Sequence, residues 1–158
     1  MPPKIKILCV GKTSESFIRE GVKLYEQRII HFASLQIVEI QDVKINAAHN
    51  KLYLKEKETL AVLKQLTPHD IVILLDEKGF ELNSLDFAAF IEKNIILARP
   101  LVFIIGGAYG FSDLLYQRAN HKISLSALTF THQLVRLVFM EQLYRAFTII
   151  KNIPYHNQ

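Results

Sequence analysis

Leu101-Val-Phe-Ile-Ile-Gly-Gly-Ala-Tyr-Gly110 decides the fold: five apolar residues run straight into two adjacent glycines. Residues 101–105 are too few for a helix and enough for a central strand. A strand with no polar alternation is one covered on both faces, as in a parallel sheet. Gly106 and Gly107 remove side chains where backbone would approach a ligand closely. Open α/β sheets bind ligands just beyond the carboxyl ends of their strands. The glycines therefore predict where a small molecule sits against bare backbone.

Outward from that strand the chain reads βαβαβαβαβα with a short tail. Strands are expected at Lys4–Val10, Leu35–Ile40, Ile71–Leu75, Leu101–Ile105 and Lys122–Leu125. Helices are expected at Glu15–Phe32, within Asn46–Leu66, from a Ser84 cap to about Lys93, from Ser112-Asp113, and over Thr131–Ile150. Thr67-Pro68-His69-Asp70 is a turn cluster, and Gly79 is assigned to the turn after strand three. Strands alternating with helices imply an α/β parallel sheet. On the first helix Phe17, Gly21, Leu24, Tyr25 and Arg28 share a face. The last helix is apolar nearly all round, which calls for burial on more than one side. The second surface is read as another subunit, giving a homodimer; the alternative is that the helix lies across the sheet and under its own tail.

The 158 residues carry 19 basic and 15 acidic groups, a net charge of +4. Neither half is a polybasic arm. That balance is compatible with nucleic acid and does not demand it. Cys9 is the single cysteine, set in the apolar run 5–10, so neither an internal disulfide nor a cysteine-ligated cluster is expected. No leader is recognised, no stretch reaches the roughly 18 apolar residues of a membrane span, and a cytoplasmic protein of one domain is expected.

Familiar site motifs fail on spacing. Gly11-Lys12-Thr13 lacks the second glycine of a phosphate loop, because Lys6 stands there. Gly106-Gly107-Ala108-Tyr109-Gly110 is not a dinucleotide fingerprint. The six histidines match no metal-ligand spacing, and no metal is expected. Asp76 and Glu77 follow strand three and serve a turn or face water. Ser124, Ser126 and Thr129, interleaved with Leu125, Ala127 and Leu128, form either an ordinary loop or a wrap for an adenine ring. His132 and Arg136 share a helix face and could touch a phosphate or substrate. Arg145 either pairs with Glu141 or serves function. Pro154 and Tyr155 suggest that the tail docks rather than frays.

Taken together these residues resemble the RlmH family of SPOUT methyltransferases. The matching features are Leu75-Asp-Glu-Lys-Gly79, Phe103-Ile-Ile-Gly-Gly-Ala-Tyr-Gly110, Ser124-Leu-Ser-Ala-Leu-Thr129, His132-Gln-Leu-Val-Arg136, Glu141-Gln-Leu-Tyr-Arg-Ala146 and the Pro154-Tyr-His156 tail. Ile5–Lys12 matches too. Thr131 departs from the pattern, standing where the family usually has proline; both suit a helix start. The resemblance implies a SPOUT fold with a trefoil knot within about residues 70–158, a homodimer, and a bent S-adenosylmethionine in the knot. It implies cofactor contacts from Leu75, Gly106, Gly107, Leu125, Ser126, Ala127, Leu128, Thr129 and Phe130. The implied reaction is methylation of N3 of a pseudouridine in 23S rRNA, within the assembled ribosome.

N3 must lose a proton, so a histidine or an anion-stabilising cation near the methyl would help. His132, Arg145, Tyr155 and His156 are expected to gather there, some from the partner subunit. Two other readings stand beside this one. A binding module with a vestigial pocket would bind no cofactor. A small-molecule methyltransferase would not need the ribosome.

Overall fold

The computed structural model describes residues 1–43 and 50–157. Along the chain it forms β1 (Lys4–Val10), α1 (Ser16–Ile29), β2 (Ser34–Ile40), α2 (Lys51–Leu63), β3 (Ile71–Glu81), α3 (Ser84–Ile95), β4 (Leu101–Ile105), α4 (Asp113–Arg118), β5 (His121–Ser124) and α5 (Leu134–Ile150). The alternation predicted from the sequence is the one observed. The first residues of the predicted second helix, 46–49, lie outside the described residues; the helix that follows starts at Lys51 under an Asn50 cap, whose side chain accepts from Tyr53 N at 2.8 Å.

All strand pairs are parallel, in the order β2-β1-β4-β3-β5. β4 lies between β1 and β3, with Leu101 opposite both Ile5 and Ile71. Its five residues are all buried. Because strand side chains alternate, odd-numbered Leu101, Phe103 and Ile105 join one core and even-numbered Val102 and Ile104 the other. The odd core is roofed by α1, α3 and α5 through residues such as Ile29, Ile91 and Phe147. The even core is closed by α2 and α4 through Val62 and Leu115. Each apolar side chain so buried contributes about 1.5–3 kcal/mol.

Several expectations need correction. The helix over residues 84–95 is capped by Asn83, not Ser84: the Asn83 side chain accepts from Asp86 N at 2.8 Å. The regular ladder of β3 does end at Leu75, but the strand resumes through Glu81, with a register slip between Leu75 and Phe80. Gly79 therefore lies inside a strand and not in a following turn. A Cβ there would stand 2.6 Å from the Ile123 backbone, so only glycine permits this crossing. On α1 the buried residues are Ile18 and Ile29, while Phe17 and Leu24 stay 61% and 45% exposed. Helix α5 begins at Leu134 rather than Thr131, and packs against both α1 and α3. Much of its apolar circumference is thus used within the chain. No described helix is long and apolar enough to cross a membrane.

Candidate functional site

Beyond the carboxyl ends of β3, β4 and β5 the chain leaves a cleft of about 1080 Å³. Three segments make its walls: Leu75–Lys78 from β3, Ile105–Phe111 from β4, and the run after β5 to His132. Lys51 and Lys55 of α2 complete it. Gly106 and Gly107 both line the cleft, and it is at Gly106 that a side chain would be crowded from inside the protein. A Cβ on Gly106 would be 2.9 Å from the Phe111 ring, and one on Gly107 would meet Val10 Cγ1 and Glu58 Oε1, both at 3.4 Å. Phe111 is held edge-on to Tyr116, with ring centroids 6.0 Å apart.

The segment after β5 is shaped by its own hydroxyls. Ser124 Oγ donates to Ser126 O at 2.9 Å, and Ser126 Oγ accepts from Leu128 N at 3.0 Å. The serines are therefore used in folding the loop, leaving backbone groups and apolar side chains for a ligand. Leu75, Leu125, Ser126, Leu128, Thr129 and Phe130 all border the cleft. Ala127 is exposed and does not.

A clamp fixes the far wall. Gln133 Oε1 accepts from Ser14 N and Gln133 Nε2 donates to Lys12 O, both at 2.9 Å. Arg136, only 2% exposed, donates to Val10 O at 2.7 Å, to Thr13 Oγ1 at 2.8 Å and to His132 O at 3.2 Å. The sequence left Arg136 open to a phosphate or substrate contact. Instead its guanidinium is spent tying the end of β1 to the turn that carries His132. Thr131 lies just before α5, and its hydroxyl accepts from Leu134 N at 3.2 Å.

Charge in the cleft is mixed. Lys51, Lys55 and Lys78 line it together with Asp76, Glu77 and Asp113. Asp76 accepts from Lys78 N at 3.0 Å, within the irregular stretch of β3 rather than in a turn. It also accepts from the Tyr116 hydroxyl. Burial, then the Asp76 hydrogen bond and charge, push the Tyr116 hydroxyl well above its ordinary range. No group of three or more histidine, cysteine or acidic side chains among the described residues could hold a metal.

Of the four residues expected to gather, the structure brings three together. Arg145 pairs with Glu141 Oε1 through Nη2 at 2.6 Å and Nε at 3.1 Å. Tyr155 donates to the same oxygen at 3.0 Å, and Arg145 Nη1 lies 3.1 Å from His156 Nδ1. The Arg145 guanidinium covers the Tyr155 ring at 4.9 Å. Tyr155 also packs edge-on to Tyr144, and its hydroxyl is 3.4 Å from that of Tyr25. The tail is docked, not frayed. His132 lines the cleft, whereas Arg145, Tyr155 and His156 do not. Within one chain the gathering is incomplete.

Sequence reasoning missed Tyr116, Phe111, Gln133 and the lysines of α2 as parts of the site. Tyr116 and Gln133 act through partners 40 and at least 119 positions away, and no local pattern announces such pairs. Glu141 was seen only as a partner of Arg145; its hold on Tyr155 was not.

A parallel sheet with its cleft beyond the strand ends, walled by a double glycine and a looped segment after the last strand, marks a ligand-binding α/β enzyme. The chain belongs to the SPOUT methyltransferase family: residues 3–156 match the family described as "Predicted SPOUT methyltransferase". It is 42% identical to Ribosomal RNA large subunit methyltransferase H of Parabacteroides distasonis over 156 residues, 98% of this chain and 99% of that protein. The proteins of the same name from Phocaeicola vulgatus and Cytophaga hutchinsonii are 45% and 44% identical, again across 98% of this chain and 99% of theirs.

Proposed function

We propose that this methyltransferase moves a methyl group from S-adenosylmethionine to N3 of a pseudouridine in 23S rRNA, acting as a homodimer on the assembled ribosome. The observation that carries the reading is end-to-end identity above 40% with proteins named for large-subunit rRNA methylation. The cleft suits the donor. Its volume of about 1080 Å³ meets the size of a cofactor site. Leu75, Ile105, Leu125 and Val135 offer apolar surface for an adenine, and Asp76, Glu77 and Asp113 complement a cation. When bound, S-adenosylmethionine supplies an electrophilic methyl on a sulfonium.

The protein's part is orientation and charge. Holding nucleophile and methyl in line alone removes several kcal/mol of barrier. Leu75, Gly106, Gly107, Leu125, Ser126, Leu128, Thr129 and Phe130, which line the cleft, hold the donor; His132 faces the reacting base from the cleft wall. Arg145, Tyr155 and His156 reach the methyl of the partner's cleft in this reading. A second copy fits the exposed α1 stripe of Phe17 and Leu24. That stripe continues into α5, because Gly21 packs against Leu137. In this reading the knot lies in the part of the chain from about residue 70 onward. A net charge of +4 gives modest attraction to free RNA, which favours recognition of a large, preassembled target.

The test is transfer of labelled methyl to ribosomes lacking the modification, with free rRNA and separate subunits alongside. The expected result is label on one pseudouridine in assembled ribosomes only. A folded protein that binds no S-adenosylmethionine would point to a binding module, and label on small molecules alone would overturn the RNA substrate.

A further inference from the structure

We infer that the docked tail recognises the pyrimidine edge as a hydrogen-bond donor set, with His156 donating through Nε2 rather than accepting the N3 proton. This rests on the reading above that the tail meets the target base. The inference follows from which atoms are already committed. A guanidinium can only donate. With Arg145 Nη1 at 3.1 Å from His156 Nδ1, that nitrogen must be the acceptor. It accepts only when it carries no proton, so the ring proton of His156 sits on Nε2. The ring therefore carries an N–H at Nε2 for which the described residues supply no partner.

The neighbours close off the other ways to take up a proton. Glu141 Oε1 already receives Arg145 Nε, Arg145 Nη2 and the Tyr155 hydroxyl. Its Oε2 receives Gln142 Nε2 at 2.7 Å. Four donors occupy the lone-pair sites of this carboxylate, which leaves none open to the base. Tyr155 spends its own proton on Glu141. What the cluster can still present is the Nε2–H of His156 and the uncommitted N–H groups of the Arg145 fork. A uracil-type base shows acceptors at both carbonyls, and a third at N3 once its proton has gone. Donors set against that edge hold the base and stabilise its anion. The amino group of a cytosine would instead meet donor with donor. The N3 proton leaves to His132, whose ring makes no hydrogen bond among the described residues and lines the cleft.

Two measurements test this. Nitrogen-15 NMR of the full-length protein labelled at histidine, with His156→Gln to assign the signal, reads the tautomer without any turnover. The expected pattern is a bare Nδ1 and a protonated Nε2; the opposite tautomer overturns the inference. Methyl transfer to ribosomes is then compared for His156→Gln and His156→Ala, after confirming that both bind S-adenosylmethionine like the parent. A glutamine amide can donate but cannot act as a base. His156→Gln is expected to be about tenfold faster than His156→Ala, the worth of one such hydrogen bond. Equal loss in both variants overturns the donor role. A parent protein that labels no ribosome overturns the proposed function instead, and the tautomer measurement separates the two failures.

Discussion

Replacing Arg136 by methionine tests whether the tie between β1 and the His132 turn is a structural necessity. Arg136 is 2% exposed and makes three hydrogen bonds, to Val10 O, Thr13 Oγ1 and His132 O. Its charge partner Glu39 is 3.9 Å away and 40% exposed, so a stranded Glu39 is solvated and costs little. Methionine fills nearly the same space and adapts to it, which keeps the cavity contribution small. What remains is the loss of charged donors to acceptors at the end of β1. An unsatisfied buried acceptor costs about 1–3 kcal/mol. The lost tie of the turn adds to this, and relief of guanidinium desolvation offsets part of it. The expected net loss is about 3 kcal/mol. Urea unfolding at fixed protein concentration reads it directly. Arg136→Lys, which keeps a donor but not the fork, is expected to lose about half as much. S-adenosylmethionine binding to Arg136→Met should weaken as well, because the cleft wall is anchored through the same side chain. A methionine variant within about 0.5 kcal/mol of the parent, a typical surface substitution, would refute the reasoning.

Gly79→Ala forces a Cβ to within 2.6 Å of the Ile123 backbone, so a loss of about 1–3 kcal/mol is expected, read as a lowered melting temperature. Unchanged melting would mean that the β3–β5 crossing relaxes freely. Glu58 is held above the usual carboxylate range by burial first and by Asp42 second. Its charged form is therefore disfavoured in the folded chain, and stability falls as pH rises through the Glu58 titration. Glu58→Gln should then be the more stable protein at neutral pH, with the advantage fading as pH drops below the ordinary carboxylate range; urea midpoints across that range check the sign. Phe17→Glu, on the exposed stripe of α1, is expected to shift the proposed homodimer toward monomer in sedimentation. Unchanged association would move the interface elsewhere.

The sheet was legible because its chemistry is local and redundant. An unbroken apolar run such as 101–105 has only one economical home, between two covered faces, and the two cores on either side of β4 are that home. The double glycine was legible as a cleft marker, though the sequence could not show that a Cβ on Gly106 would crowd the Phe111 ring. Arg136 was left undecided because an arginine on an apolar helix looks the same whether it waits for a ligand or satisfies a carbonyl 126 positions away. Phe17 and Leu24 share a face with Gly21 and Tyr25, yet only part of that face is buried, since helical spacing fixes direction and not what lies opposite. The tail was foreseen as docked, but its seat on Glu141, Tyr144 and Tyr25 joins distant segments that no short pattern connects.

The place of β1 in the sheet bears on how the chain is made. β1 is the first strand synthesised, yet one of its two neighbours is β4, so Ile5 has no partner on that side until Leu101 exists. Until then the emerging chain carries a β1–β2 pair with one open edge of unpaired amides and carbonyls, an invitation to wrong pairing. Loop closure over such a span is slow and entropically costly before it is rewarded. The sheet therefore cannot be completed before the last third of the chain, which carries β5, has been made. An edge of β1 that stays open while residues 41–100 are made is what this order of strands implies.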